Sequence, residues 1–577
     1  MRLICRNERR GWTTGLQPKG RYSLLLAVIE ILLSLPDSKN FQKIPFFPGT
    51  ETGVFHEFDS SRSLPSSISF CHVYKLDLAD ENPLNFGTTL RVFSSKHLIG
   101  ALLCGFALRW FFITHFPFYS GDTAYYEDLA RNWLYHGVYG FHIQGRLISS
   151  DIRMPGYPGF LGFVYAVVGR TRTAVMASQS VIDLFSCVLT ALLAAQLAPA
   201  SKKKIVAAIA LWIAALCPFM ANYSAAVLTE TLATFVTVLA LLVFVNFLNH
   251  CLAKSPRKIF DNRALLLLAA WFFIFGLITA AGTLVRPETP LLLMAAAFVL
   301  CIRWRLRSDW WKLALAIPWM AAGLLVGLEG WAIRNTNNIG RVEFLAPEYA
   351  AAKGDFVPEG FFAWTGTWMV RFGDAYRVSW KLSTAPILMN DIPPSAFDSN
   401  DERAEVASLL SQYNSGWNMT PLLDYQFGRL AQERRARRPI RTYLIIPFER
   451  AVMIWFTPRI ELLPYTGRLW PLEDAWRNNS TDFSVTLGLG ALNIALLGLA
   501  MAGAWRGRAH PGVFFLIAFI AIRTAFLTQL HTVEPRYVIE CMPALYALAA
   551  LALVRLPKAV PSADLPVGAD PLLATQQ

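Results

Sequence analysis

The sequence predicts an all-α polytopic membrane protein with about ten transmembrane helices, amphipathic juxtamembrane helices and a sizeable outer-face region. Three observations point there. Hydrophobic residues occupy 54% of the 577 positions and charged ones 16%, a balance suited to lipid rather than water. Apolar runs of spanning or near-spanning length recur from residue 98 to residue 554. Lys and Arg collect in short clusters beside those runs, as they do in cytoplasmic membrane loops. That placement accounts for the formal charge of +13 without nucleic acid, which is excluded as a partner; membrane lipids are expected ones.

In chain order, residues 1–95 form an N-terminal extension that is polar and patternless over 36–95. Its run "LLLAVIEILLSL" (24–35) follows several Arg as a signal h-region would, but it contains Glu30 and lacks a clear small-residue cleavage site. The next Met after Met1 is Met154, so a start near Val92 is an open alternative. A transmembrane core, 96–333, has spans near 98–116, 174–197, 205–222, 231–249, 264–284, 289–302 and 313–333. An outer region with interfacial helices, 334–483, precedes spans near 484–504, 511–529 and 538–554 in the segment 484–556; a cytoplasmic tail, 557–577, follows. Under this count "SKKK" (201–204), Lys254 with Arg257 and Lys258, Arg303 with Arg305 and Arg307, Arg506 with Arg508, and Arg555 with Lys558 share one side, read as inside. The segment "GYPGFLGFVYAVVG" (156–169) falls short of the roughly 20 residues a crossing helix needs. Counting it would reverse every later loop, so it is read as re-entrant or interfacial. "TYLIIPFERAVMIWF" (442–456), interrupted by Pro447 and Arg450, is read in the same way.

The outer face then collects the ionisable residues: the loop 117–155, Glu230, Arg286, the region 334–483 and "HTVEPRY" (531–537). A transporter would place such groups near the middle of broken helices; here they gather at helix ends. In "FPFYSGDTAYYEDLARNWLYHG" (116–137), helical spacing sets Tyr126, Leu129, Ala130, Trp133 and Leu134 on one side and Glu127, Asp128, Arg131 and Asn132 on the other. Gly137 is a plausible stop, and the helix is expected to lie flat at the interface. Asp122 in its first turn reads equally as an N-cap or as a functional carboxylate. Glu127 and Asp128 read as a solvated pair. The eight Cys show no CxxC pair, and Cys104, Cys187, Cys217, Cys301 and Cys541 lie within apolar segments as packing residues.

Taken together, "YSGDTAYYEDLARN" (119–132), "RMPGYPGF" (153–160), "YSAAVLTETLATF" (223–235), "LVRPETPLLL" (284–293) and "EPRYVIECMPAL" (534–545) resemble the C-type superfamily of polyprenyl-phosphate-dependent glycosyltransferases. The chain is most similar to the branch containing lipid A aminoarabinose transferases and protein O-mannosyltransferases, over about residues 95–555. The resemblance implies a multi-spanning enzyme in the plasma (bacterial inner) membrane with its site facing the periplasm or outside. It would move a sugar, with inversion, from a polyprenyl-phosphate donor to a hydroxyl-bearing envelope acceptor.

On the family pattern Asp122 is similar to a general base. Glu230 falls where a second acidic residue orients the acceptor or helps hold that base; its bland alternative is interaction with the helix N-terminal dipole. Arg286 matches a basic residue contacting the carrier phosphate, with snorkelling to headgroups as the alternative. Arg536 reads as a second phosphate contact, or as a partner of Glu534. Tyr126 joins these as a substrate-binding candidate. In the aminoarabinose branch a Glu resembling a metal ligand precedes the Lys-Pro that corresponds to Met154 and Pro155. Arg153 stands there instead, so no metal or cofactor is expected. Arg153 either supplies positive charge directly, next to Asp151, or makes a salt bridge between loops.

His136, His142 and His531 lack metal-ligand spacing and read as surface or packed residues. "PEGFFAWTGTWMVRFGDAYRVSW" (358–380) mixes aromatics and polar groups suited to stacking on sugars or to interfacial anchoring. "RRARR" (434–438) reads as a contact for an anionic acceptor or carrier phosphate, or as a solvated basic helix. The rival functions are a lipid-linked sugar flippase or transporter, an O-antigen-type polymerase or ligase, and a non-enzymatic membrane scaffold.

Overall fold

The computed structural model describes residues 92–250, 262–305, 311–349, 351 and 354–555. The signal-like run 24–35, nearly all of the extension 1–95, the basic positions Lys254, Arg257, Lys258, Arg307 and Lys558, and the tail 557–577 lie outside the described residues. What is described is an all-α polytopic membrane protein whose single sheet is a two-stranded hairpin, Gly140–Ile143 with Arg146–Ser149. Among the described residues six helices have the length and composition to cross a bilayer: α1 (Ser95–His115), α4 (Arg172–Leu197), α7 (Glu230–His250), α8 (Asn262–Thr283), α10 (Trp311–Ile339) and α17 (Ser480–Arg506). A seventh is made if α5 (Lys203–Leu216) and α6 (Pro218–Ala221), with its trailing 3-10 turn, count as one span bent by 47°.

The three remaining apolar runs form shorter helices: α9 (Leu291–Arg305), α18 (Pro511–Leu527) and α19 (Met542–Ala552). At 1.5 Å per residue they reach about 16 to 26 Å, less than the roughly 30 Å hydrocarbon layer. The count of ten crossings therefore rests on the flanking turns, such as the 3-10 turn Pro535–Cys541 that leads into α19.

Between α1 and α4 lie α2 (Gly121–His136), the hairpin and α3 (Gly156–Val167). Twelve residues give α3 about 18 Å. Its beginning and end are held at the same end of the bundle: Gly156 N donates to Leu284 O at 2.6 Å, and Arg172, just past α3, binds Glu127 of α2 at 2.7 Å. At that length α3 is shorter than a crossing helix needs. Helix α2 starts from the N-cap Ser120, with Ser120 N donating to Thr123 Oγ1 at 3.1 Å, and stops at Gly137, whose φ of 68° is left-handed.

Apolar packing joins α4, α5, α7, α9, α18 and α19 in one core that includes Leu193, Leu211, Phe244, Val299, Phe515 and Tyr546. Leu266, Leu267 and Met501 face outward, as lipid-facing side chains do. A buried guanidinium braces this core: Arg109 of α1 binds Asp183 of α4 at 2.6 Å and donates to Ala215 O of α5 at 2.9 Å. The pair α8 and α10 meets through small residues, Gly276 with Ala280 against Gly323 with Gly327.

The region 334–483 has its own core. α11 (Glu359–Gly366), α13 (Asn400–Asn414) and α14 (Pro421–Arg437) bury Phe361, Trp364, Leu409, Tyr413 and Phe427 among them, with α12 (Phe372–Arg377) alongside. A π turn, Arg441–Ile445, leads into α15 (Ile446–Trp455), and α16 (Leu472–Asn478) precedes α17. Arg450 of α15 is buried and donates to Met369 O at 2.9 Å, Thr528 O at 2.9 Å and Gly366 O at 3.1 Å. It thereby ties the outer region to the end of α18.

Candidate active site

Five chain segments converge at one end of the bundle: the first turn of α2, the loop before α3, the start of α7, the turn after α8, and the stretch between α18 and α19. Asp122 sits in the first turn of α2, but its side chain does not cap the helix; Ser120 holds that position. Its Oδ1 accepts from Arg153 Nη2 at 2.9 Å and its Oδ2 from Arg536 Nη2 at 3.2 Å. Arg153 therefore turns toward Asp122 rather than its sequence neighbour Asp151. Burial pushes the Asp151 carboxyl up, and hydrogen bonding with Glu343 adds to the rise.

Arg536 continues the chain of charges. Its Nη1 lies 3.7 Å from Glu230 Oε1 and its Nε 2.5 Å from Glu534 Oε2; it pairs with Glu534 and also with two carboxylates of other segments. Glu230, the first residue of α7, is 1% exposed, and its Oε1 also accepts from Arg286 Nη1 at 3.2 Å. Its Oε2 accepts no hydrogen bond from any described residue. Arg286 does not snorkel outward: its Nε is 2.7 Å from Glu288 Oε1 and 3.3 Å from Glu540 Oε1, and its guanidinium lies 5.1 Å over the Tyr537 ring. Arg523 of α18 closes the row, 2.6 Å from Glu540.

The network has an open and a sealed half. Side chains of Asp122, Arg153 and Arg536 are 26%, 23% and 18% exposed, against 10% for Arg286 and 1% for Arg523. An anion arriving from water or headgroups meets Arg153 and Arg536 first. Burial alone would raise the Asp122 carboxyl, but Arg536 and then Arg153 outweigh it and hold it below the usual carboxylate range. Burial would likewise weaken the guanidiniums of Arg286 and Arg536; the surrounding Glu288, Glu540 and Glu230 in one case, Glu534 and Glu230 in the other, overcome it and keep both charged. Tyr126 is half-buried with its ring edge-on to Tyr157, centroids 5.1 Å apart, and burial pushes its phenol to about 12, with the Asp122 charge adding to the rise.

Both oxygens of Asp122 are taken by guanidinium groups, and among the described residues no group of three His, Cys, Asp or Glu is placed to hold a metal ion.

Several readings of the sequence are corrected by packing. Glu127 is buried against Arg172 rather than solvated, while Asp128 stays exposed with Arg131. Trp364 and Trp368 are core residues of the outer region, which leaves Tyr376 and Trp380, rings 4.0 Å apart, as the exposed aromatics of that stretch. Arg434 of the basic run is buried and pairs with Glu402, whereas Arg437 and Arg438 remain exposed. His531 is packed against Tyr349 and Phe362.

Sequence reasoning named Glu534 as a partner of Arg536 but missed Glu288, Glu540, Tyr537 and Arg523 as members of the network. All but Arg523 lie inside the quoted motifs. Arg523 carried a signal of its own, an ionisable residue within an apolar run.

No family model and no curated protein matches the chain. Among solved structures, it is similar to the oligosaccharyltransferase AglB from Archaeoglobus fulgidus in complex with an inhibitory peptide and a dolichol-phosphate. The identity is 14%, the TM-score 0.40, and the match covers 81% of this chain and 50% of that one. It is also similar to ArnT from Cupriavidus metallidurans bound to undecaprenyl phosphate, with 11% identity, a TM-score of 0.35 and coverage of 76% and 78%. The chain spans half the length of the oligosaccharyltransferase it matches.

Proposed function

We propose that the protein is an inverting glycosyltransferase that moves a sugar from a polyprenyl-phosphate donor to an acceptor hydroxyl at the outer face of the membrane. The observation that carries this reading is the Arg153–Asp122–Arg536–Glu230 chain of contacts, a carboxylate flanked by two accessible cations at the helix ends. It is joined to the motif series resembling the polyprenyl-phosphate enzymes.

In the reaction, Arg536 and Arg153 take the donor phosphate by charge-assisted hydrogen bonds, each contributing about 1.5–3 kcal/mol. As they turn to the phosphate they loosen from Asp122, which becomes free to accept the proton of the acceptor hydroxyl. The acceptor oxygen attacks the anomeric carbon. The bond from that carbon to the phosphate oxygen breaks, and its electron pair leaves with polyprenyl phosphate. A single displacement inverts the sugar. Glu230, buried, holds Arg536 beside Asp122, and Arg286 holds Glu230 from behind. Tyr126 lines the same opening, and Tyr376 with Trp380 offers an exposed aromatic face to sugar.

The test is transfer from radiolabelled lipid-phosphate sugars in membranes containing the wild type or Asp122→Asn. Wild-type membranes transfer label to a hydroxyl acceptor. The variant loses about 10²- to 10⁴-fold, the contribution of a positioned base, and retained activity removes the base assignment.

A further inference from the structure

Outside the ion-pair network, the junction between α14 and α15 carries a second concentration of positive charge that the reaction does not use. A cavity of about 540 Å³ there is lined by Arg437, Arg438, Pro439, Ile440, Arg441, Ile445 and Glu449. Three guanidiniums thus face one carboxylate. Two are fixed along one edge, Arg437 Nη2 3.0 Å from Glu402 Oε2 and Arg441 Nη2 donating to Ser395 O at 3.1 Å, while Arg438 Nε lies 3.7 Å from Asp398 Oδ1. Such anchoring lowers the ordering cost of using the remaining N–H groups, and a guanidinium fork matches phosphate oxygens in pairs.

The chain leaving this cavity is apolar and outward-facing. Ile440 is 67% and Phe448 70% exposed, and Tyr443, Leu444 and Ile445 are exposed between them. A water-soluble phosphate has no use for that surface. A charged cluster running directly into an exposed apolar face is the arrangement of an interfacial segment, apolar side in the acyl boundary and cationic end at headgroup level.

We propose that the Arg437–Arg438–Arg441 cavity is a binding site for the phosphate headgroup of an anionic membrane phospholipid, whose acyl chains lie along Ile440, Leu444 and Phe448. The site is separate from the sugar-transfer reaction and does not depend on it. The site fixes the depth of the outer region at the membrane surface.

The test uses the full-length protein purified in detergent, incubated with phosphatidylglycerol or phosphatidylcholine and read by native mass spectrometry. The wild type retains phosphatidylglycerol in preference to phosphatidylcholine. Arg441→Gln, whose only anchor is a carbonyl, lowers that preference about fivefold, and Arg437→Gln with Arg438→Gln lowers it further, as expected for basic side chains near an anionic surface. Because the double variant also takes one cation from Glu402 and Asp398, which keep Arg434, its melting temperature is followed in parallel; Arg441→Gln alone suffices if it unfolds. Equal retention of the two lipids by the wild type overturns the proposal, as does an unchanged preference in Arg441→Gln. Displacement of phosphatidylglycerol by millimolar inorganic phosphate assigns the cavity to a soluble anion and also overturns it.

Discussion

Asp122 shows how a side chain can be tuned by what must leave it. The two guanidiniums that hold its carboxyl low also block both oxygens. In the empty enzyme the group stays ionised to lower pH than an ordinary carboxylate, so the acidic limb of kcat/KM lies low. Arg153→Gln removes one cation, burial then counts for more, and that limb moves to higher pH; pH–rate profiles of the two proteins check it. The sign for stability is the reverse of a buried unpaired acid. The pairing stabilises the fold above the unfolded-state value and is lost as pH falls through the depressed folded-state value. Asp122, Arg153, Glu230, Arg286 and Arg536 were each singled out from a motif, because in those stretches chemistry stands out against apolar sequence. The Glu127–Arg172 pair was not legible: its members are 45 positions apart, and helical spacing alone gave Glu127 to water.

Helices of this bundle approach through what their side chains lack. A Cβ on Gly323 would stand 2.2 Å from Phe273 O, and one on Gly276 would stand 2.3 Å from Met320 O. The obstructing atoms are backbone, so no rotamer change relieves the clash. Gly323→Leu is therefore expected to separate α8 from α10 and destabilise the protein by about 1–3 kcal/mol or more. Gly498→Ala, which meets nothing within 4 Å, is the control. Thermal unfolding in detergent, with both variants beside the wild type, measures it. The apolar runs announced these helices, since lipid demands long uninterrupted hydrophobicity. The outer region was less legible: Trp364 and Trp368 look identical in sequence to exposed Trp380, and only the close packing of α11 on α14, where Gly360 meets the backbone of Asp424, seals them.

For the molecule as a whole, charge inside the apolar layer is tolerated where it is matched. Arg109 and Asp183 are both buried and bind each other. Arg109→Leu strands the carboxylate and is expected to cost about 3–5 kcal/mol, while Arg109→Leu with Asp183→Leu recovers most of it; denaturation of the purified variants distinguishes the two. The Asp122 end of the molecule is paired in the same way, with the five carboxylates of Asp122, Glu230, Glu288, Glu534 and Glu540 set among the four guanidiniums of Arg153, Arg286, Arg523 and Arg536. Such a charge-paired cradle has a kinetic consequence for the proposed reaction. In the proposed transfer a sugar phosphodiester brings one negative charge, but the monoester left behind carries nearly two at neutral pH, so the spent carrier would grip Arg153 and Arg536 harder than the incoming donor. Turnover should be limited by escape of the spent lipid. Added polyprenyl phosphate should compete with donor more strongly at pH 8 than at pH 6, where its second proton returns.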